Sequence, residues 1–192
     1  MNNSFFALIF RQRYIRRWGL MRNTNDENLA EHSAQVAMIA HALAVLGNER
    51  LGRDYDPGAV CVYALYHDAS EVYTGDMPTP IKYYTPEMRE NYQKIEDHAV
   101  DALIAHLPSD LSDGYREILE IPDPDVHLLV KAADKLCAYI KCVEELKAGN
   151  REFADAADTT LASLKAMDCP ELQIFMEEFL PSFSMTLDEI QK

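Results

Sequence analysis

The segment Tyr66-His67-Asp68-Ala69-Ser70-Glu71 sets an imidazole beside a carboxylate, at the end of an apolar stretch that includes Val60, Val62, Ala64 and Leu65. Both groups are good ligands for a divalent cation. Glu71 follows His67 by four residues and Asp68 by three, so a helix continuing through this segment would carry all three on one face. A carboxylate there can orient or deprotonate water beside a cation. A lone His-Asp pair is most often a surface or capping feature, so the pair gains meaning only with partners. Two residues offer themselves. His32 shares a helix face with Gln35, Val36 and Ile39, a setting in which a histidine is more often a satisfied core residue than a ligand. Asp134 stands between Ala132-Ala133 and Leu136-Cys137, where a carboxylate is costly unless paired or bound to a cation. Lys131 and Lys135 could supply the pairing. Five residues beyond Glu71 begins Asp76-Met77-Pro78-Thr79-Pro80, which by itself would be a turn.

The elements that must hold these residues read as helices, because apolar residues recur at spacings of three and four. A first helix is expected over 4–17, with Phe5, Leu8, Ile9 and Ile15 inward and Arg17-Trp18 at its end. Asn28 opens a second, with Glu31 completing a capping box and Gly47 as its stop. Asp56-Pro57 opens a third, ending near Gly75. Two prolines two apart forbid helix over 76–80. Further helices are expected from Pro86 to about Leu107, over 110–120, from Asp123-Pro124 to Gly149, and over 151–167 and 171–179. No sustained period-two alternation is present. The expectation is an all-α fold of about seven or eight helices in a single domain spanning 1–192.

The totals narrow the function classes. A chain of 192 residues with 48% hydrophobic and 26% charged residues can bury a core without disulfides. Its net charge of −14 makes it a poor general binder of nucleic acid, which is held mainly by Lys and Arg at phosphates. The charge is uneven. Residues 1–25 contain Arg11, Arg13, Arg16, Arg17 and Arg22 and no acid, so they carry +5 and leave −19 for the rest. A positive patch on an acidic chain suits a small anion. Cys61, Cys137, Cys142 and Cys169 form no CxxC pair and read as buried thiols of a reducing compartment. The apolar run Phe5–Phe10 is too short for a secretory segment, and no stretch approaches the ~20 apolar residues that span a bilayer. A cytoplasmic protein is expected.

The order His32 … His67-Asp68 … Asp134 is the H…HD…D pattern of HD-domain phosphohydrolases. Arg17-Trp18, Ala30-Glu31-His32-Ser33, His67-Asp68-Ala69-Ser70-Glu71, the Gly75–Pro80 loop, Ala133-Asp134 and Phe179-Leu180-Pro181-Ser182-Phe183 narrow the match. Over nearly its whole length the chain resembles bacterial 5'-deoxynucleotidases of the YfbR type, with no departure at a metal-ligand position. The resemblance implies an HD fold, a homodimer, and hydrolysis of 2'-deoxyribonucleoside 5'-monophosphates. It also implies one divalent metal ion, Co2+ especially, with Mn2+, Zn2+, Fe2+ or Mg2+ compatible with mixed nitrogen and oxygen ligands.

On that footing His32, His67, Asp68 and Asp134 are the metal ligands. Glu71 and Asp76 are the candidates for proton handling, and Arg17 orients the phosphate. Trp18, the only tryptophan, is either core or packed on the sugar so as to exclude a 2'-hydroxyl. His32, Asp76, Met77, Pro78 and Thr79 line the nucleotide site with Arg17 and Trp18. Arg11, Arg13, Arg16 and Arg22 are read as surface charges, and His41, His98, His106 and His127 as structural or exposed. The competing readings are an HD hydrolase of nucleoside triphosphates or alarmones, and a non-catalytic helical module stabilised by its metal.

Overall fold

The computed structural model describes residues 3–82, 84–121 and 123–192. Its helices are α1 (Phe5–Ile9), α2 (Leu29–Leu51), α3 (Pro57–Tyr66), α4 (Glu71–Thr74), α5 (Thr79–Lys82), α6 (Pro86–Ile104), α7 (Ser112–Glu120), α8 (Pro124–Lys147), α9 (Ala154–Lys165), α10 (Pro170–Glu178) and α11 (Leu187–Ile190). Short 3-10 turns cover Phe10–Tyr14, Arg151–Phe153 and Leu180–Ser184. Seven of the helices have nine or more residues, and the described residues contain no strand, which bears out the all-α expectation.

The starts of the long helices follow their caps. Asn28 Oδ1 accepts from the main-chain N–H groups of Ala30 and Glu31, and the Glu31 side chain returns to the N–H of Asn28. Asp56 and Asp123 cap α3 and α8, each followed by proline at the first helical position, where no N–H is needed.

The helix ends differ from expectation in four places. The first helix stops at Ile9 and tightens into a 3-10 turn. Ile15 is then extended, and the chain pairs back on itself, with Arg17 N–H donating to the Glu27 carbonyl (3.0 Å) and Leu29 N–H to the Ile15 carbonyl (2.9 Å). Arg17-Trp18 therefore leave the helix and lie in a return loop. Second, α2 passes through Gly47 and ends at Gly52, which takes the left-handed conformation at φ 67°. Gly47 is needed for room, since a Cβ there would lie 2.8 Å from the Tyr55 ring. Third, α3 ends at Tyr66. Across His67–Ser70 the main-chain bonds shorten to three-residue steps (Ala69 to Tyr66, Glu71 to Asp68, Val72 to Ala69) before α4 begins. A 3-10 step aligns residues three apart, so Glu71 stays on the side of Asp68 although the helix is broken. Fourth, α5 begins inside the segment expected to be non-helical. The Pro78 carbonyl accepts from Ile81 and Lys82 (2.8 and 3.1 Å), and Pro80 sits in the first turn, where it blocks nothing.

The core lies where α2 meets α3, α8 and α10. Val36, Ala40, Leu43, Val60, Ala64, Ala133, Leu136 and Leu172 are almost fully removed from water. Alanines 40, 44, 132 and 133 let α2 and α8 approach closely, which brings His32 and Asp134 together. A second cluster of Phe5, Ala69, Leu103, Ile104 and Leu107 ties α1 and α6 to the turn that carries His67 and Asp68. α2 was not singled out in sequence as long and apolar enough to cross a membrane. By length and composition it is apolar enough to do so, and half of its apolar stretch is buried in the protein.

Candidate active site

His32 enters from the first turn of α2, His67 and Asp68 from the turn after α3, and Asp134 from the middle of α8. One ligand atom each from His32, His67 and Asp68 lies within 4.8 Å of the others. Asp134 stands just outside that group, with Oδ1 3.1 Å from His32 Nε2 and 4.0 Å from His67 Nε2. His67 Nδ1 donates to the Ala64 carbonyl at 2.7 Å, since a carbonyl can only accept. That commitment turns Nε2 inward, 3.0 Å from Asp68 Oδ2 but off the line a hydrogen bond requires. A buried imidazole nitrogen aimed at carboxylates without hydrogen-bonding them is the pattern that a divalent cation completes. The donor set fits a divalent metal.

Burial works against charge on His67, but Asp68 and Asp134 more than offset it and hold the imidazole up to about 9. Burial alone would raise Asp68 as well, yet His67 and His32 pull it below its ordinary value. Asp134 is lowered too, its removal from water outweighed by His32, His67 and Arg17.

Glu71 stands against this group, 4% exposed, with Oε2 lacking a hydrogen-bond partner among the described residues. Burial, then the charges of Asp68 and Asp76, push its carboxyl up to about 9, with Lys82 and Arg17 working the other way. Asp76 Oδ2 accepts from the Trp18 main-chain N–H at 3.3 Å, and Oδ1 lies 3.9 Å from Arg17 Nη1. Arg17 is 11% exposed, unlike the four arginines read as surface charges, with Nη1 3.8 Å from Asp68. Its burial is outweighed by Asp134, Asp68, Glu27 and Asp76, which hold the guanidinium above its ordinary value. Trp18 packs at 5.2 Å on Phe153 and so has a core edge as well as a site edge. Met77 and Pro78 are half-buried and Thr79 is exposed, on the chain immediately after Asp76.

The remaining singled-out residues lie elsewhere. His41, His98 and His127 are exposed, and His106 meets Ser4 Oγ at 2.9 Å. Arg11 and Arg13 stack on Tyr14, Arg16 pairs with Asp26, and Arg22 with Glu152. Lys135 bonds Ser163, not Asp134.

Sequence reasoning missed three supports. Glu27 is buried and accepts from both Arg17 and Trp18. Lys82 pairs with Glu96 at 2.8 Å and lies over the Tyr92 ring at 4.4 Å, which fastens the proline-rich segment to α6. Glu145, 1% exposed, takes bonds from Thr24, Asn25, Asn150 and Lys141, fastening the return loop to α8. An acid and a lysine four apart in α8 were visible, but nothing in the pattern separated them from an ordinary surface pair.

The fold and this His/Asp cluster define an HD-type phosphohydrolase. A solved HD-domain phosphohydrolase from Listeria innocua superposes with a TM-score of 0.83 at 25% identity, over 98% of this chain and 92% of that one. The model of the YfbR-like 5'-deoxynucleotidases matches residues 4–183, and the chain belongs to that family. The 5'-deoxynucleotidase of Vibrio cholerae is 48% identical over 97% of both chains, and that of Erwinia tasmaniensis 46% over 100% of this chain and 98% of its own. A cyanophage S-2L HD phosphohydrolase, DatZ, solved with dA and one catalytic Zn2+, shares the fold at a TM-score of 0.67 and 23% identity, over 94% of this chain and 96% of its own. The expected 5'-deoxynucleotidase is thereby borne out over the triphosphate, alarmone and non-catalytic readings.

Proposed function

We propose that this chain hydrolyses 2'-deoxyribonucleoside 5'-monophosphates to deoxynucleoside and phosphate, with His32, His67, Asp68 and Asp134 holding one divalent metal ion. The observation that carries the reading is the inward Nε2 of His67 among carboxylates, with the buried Arg17 guanidinium alongside. The dA and Zn2+ seen in DatZ are compatible with it. A bound cation would supply Lewis-acid polarisation of the phosphate and make nearby water more acidic.

The chain's own groups do the rest. Arg17 binds the phosphate through its terminal nitrogens. Water adds to phosphorus, the bond to the 5'-oxygen breaks, and on balance one proton passes from water to that oxygen. Glu71, whose carboxyl is held up to about 9 and so carries a proton at neutral pH, is placed to give that proton to the 5'-oxygen and to be reprotonated by the one the water loses. Asp76 is engaged with Trp18 and Arg17 and serves mainly to place them. Trp18 walls the sugar against a 2'-hydroxyl, and His32, Met77, Pro78 and Thr79 complete the nucleotide site.

The ligand set admits Co2+, Mn2+, Zn2+, Fe2+ or Mg2+, with Co2+ expected to be most active in vitro. The match over 4–183 supports one HD domain for the chain. A cytoplasmic homodimer that binds neither nucleic acid nor membrane is the accompanying reading.

The test is phosphate release from dAMP, dTMP, AMP, dATP and a generic phosphomonoester, each with EDTA, Co2+, Mn2+ or Mg2+. Metal-dependent release from the deoxy monophosphates, lost in Asp68→Ala with the fold intact, is expected. Release mainly from dATP, or release undiminished in EDTA, overturns the reading.

A further inference from the structure

Glu27 precedes the N-cap of α2 and is 9% exposed. Its Oε2 accepts from two donors at once, Arg17 Nε at 3.2 Å and Trp18 Nε1 at 3.0 Å. Its main-chain carbonyl accepts from the Arg17 N–H at 3.0 Å. Oε1 lies 3.8 Å from His32 Nδ1, on the side of that ring away from Asp134. One side chain therefore reaches the arginine assigned to the phosphate, the tryptophan assigned to the sugar, and the rear of a ligand histidine.

Two features show that this arrangement has to be held. Trp18 sits at φ 58°, in the left-handed region that a bulky residue seldom enters unaided. Its main chain is held by Asp76 and its indole by Glu27. The Arg17 guanidinium faces Asp68 and Asp76 at 3.8 and 3.9 Å, beyond hydrogen-bond range, whereas Glu27 grips it directly through Nε. Fixing the Nε edge leaves the terminal nitrogens free for a tetrahedral oxyanion, the planar geometry that makes arginine suited to phosphate.

We propose that Glu27 is a positioning residue that sets the spacing between the phosphate fork of Arg17 and the indole wall of Trp18. By holding both donors on one oxygen it fixes how far the sugar's 2'-carbon lies from the wall once the 5'-phosphate is seated. Glu27 thus acts on sugar selectivity without touching the substrate. The proposal rests on the assignment of Arg17 to phosphate and Trp18 to sugar made above.

Glu27→Gln tests it. The amide oxygen is uncharged and accepts more weakly than the carboxylate, and the amide nitrogen that replaces Oε1 faces His32 Nδ1 as a donor, so the shared grip on Arg17 and Trp18 loosens. Trp18 is the sole tryptophan, so a 15N–1H spectrum of the metal-free protein shows its indole N–H as a single peak. That peak is expected to move upfield in Glu27→Gln. With Co2+ present, KM for dAMP is expected to rise about tenfold and the dAMP-over-AMP preference in kcat/KM to fall about tenfold, in line with one lost charge-assisted bond. The kcat on dAMP should change much less. Glu27→Asp keeps the charge, retracts the oxygen, and should fall between the two; it carries the test if the glutamine variant does not fold. An unmoved indole peak, or an equal loss on dAMP and AMP, overturns the proposal. Wild-type protein that does not distinguish dAMP from AMP removes the sugar assignment and the selectivity role with it. An indole peak that still moved in Glu27→Gln would then place the fault in that assignment and not in the grip on Trp18.

Discussion

A histidine held near pKa 9 must shed a proton before its inward nitrogen can bind a cation. Metal capture below pH 9 therefore releases a proton, and apparent affinity should climb with pH up to about 9. Calorimetric titration with Mn2+ in two buffers of different ionisation heat measures this release directly. Metal-free stability should run the other way. His67 has its folded value raised above the ordinary 6.5, so its contribution is full below that pH and disappears as pH rises towards 9. Glu71 is raised from 4.5 to about 9, so the native state keeps a proton that the unfolded chain has lost, and ionising it costs stability over the same climb. Melting in EDTA should fall steadily from pH 6 to 9 and be flatter in Glu71→Gln; a curve that rises would contradict both shifts. The set His32, His67, Asp68 and Asp134 was legible through its H…HD…D order, because each of these residues taken singly has an ordinary core, capping or ion-pair explanation. Glu27 was not. Its partners lie nine and ten residues back across a return loop that has no periodicity to announce it.

Helix starts were read from sequence better than helix ends. Asn28, Asp56-Pro57 and Asp123-Pro124 act through bonds only two or three residues long, so a local pattern suffices. The ends depend on what lies across the fold. Gly47 looked like a stop and instead makes room for Tyr55, while the break after Tyr66 follows from packing against Phe5 and Leu103. The same substitution should therefore have opposite signs at two glycines. Gly47→Ala drives a Cβ into the Tyr55 ring and should cost about 1–2 kcal/mol even after the gain in helix propensity. Gly114→Ala, with nothing within 4 Å, should stabilise α7 by about 0.5 kcal/mol. Urea unfolding of the pair checks both; equal shifts would mean that Tyr55 yields freely.

Across the whole molecule the site draws on the return loop, the turn after α3, and α8, and a buried ion pair within α8 hydrogen-bonds to the first of these. Glu145 meets Lys141 at 2.5 Å, and Lys141 also donates to the Asn25 carbonyl. Such a pair adds little net stability when intact but is costly to break, because the surviving charge is left buried. Glu145→Ala strands Lys141 together with the Thr24 and Asn25 amides. It should cost about 3–5 kcal/mol and open residues 18–28 to limited proteolysis before the core unfolds. Cleavage that appears only with global unfolding would argue against a locally held loop.

The same staple sets an order for making the protein. Arg17, Trp18 and Glu27 leave the ribosome early, followed by His67, Asp68 and Glu71. The loop bearing the first three gains its hold on α8 and on the residues just after it only once Glu145, Asn150 and Glu152 have been synthesised, more than a hundred residues later. Asp134 arrives shortly before them on the same helix. The His/Asp cluster and the loop beside it are therefore completed almost together, and a chain that stops short of α8 has neither.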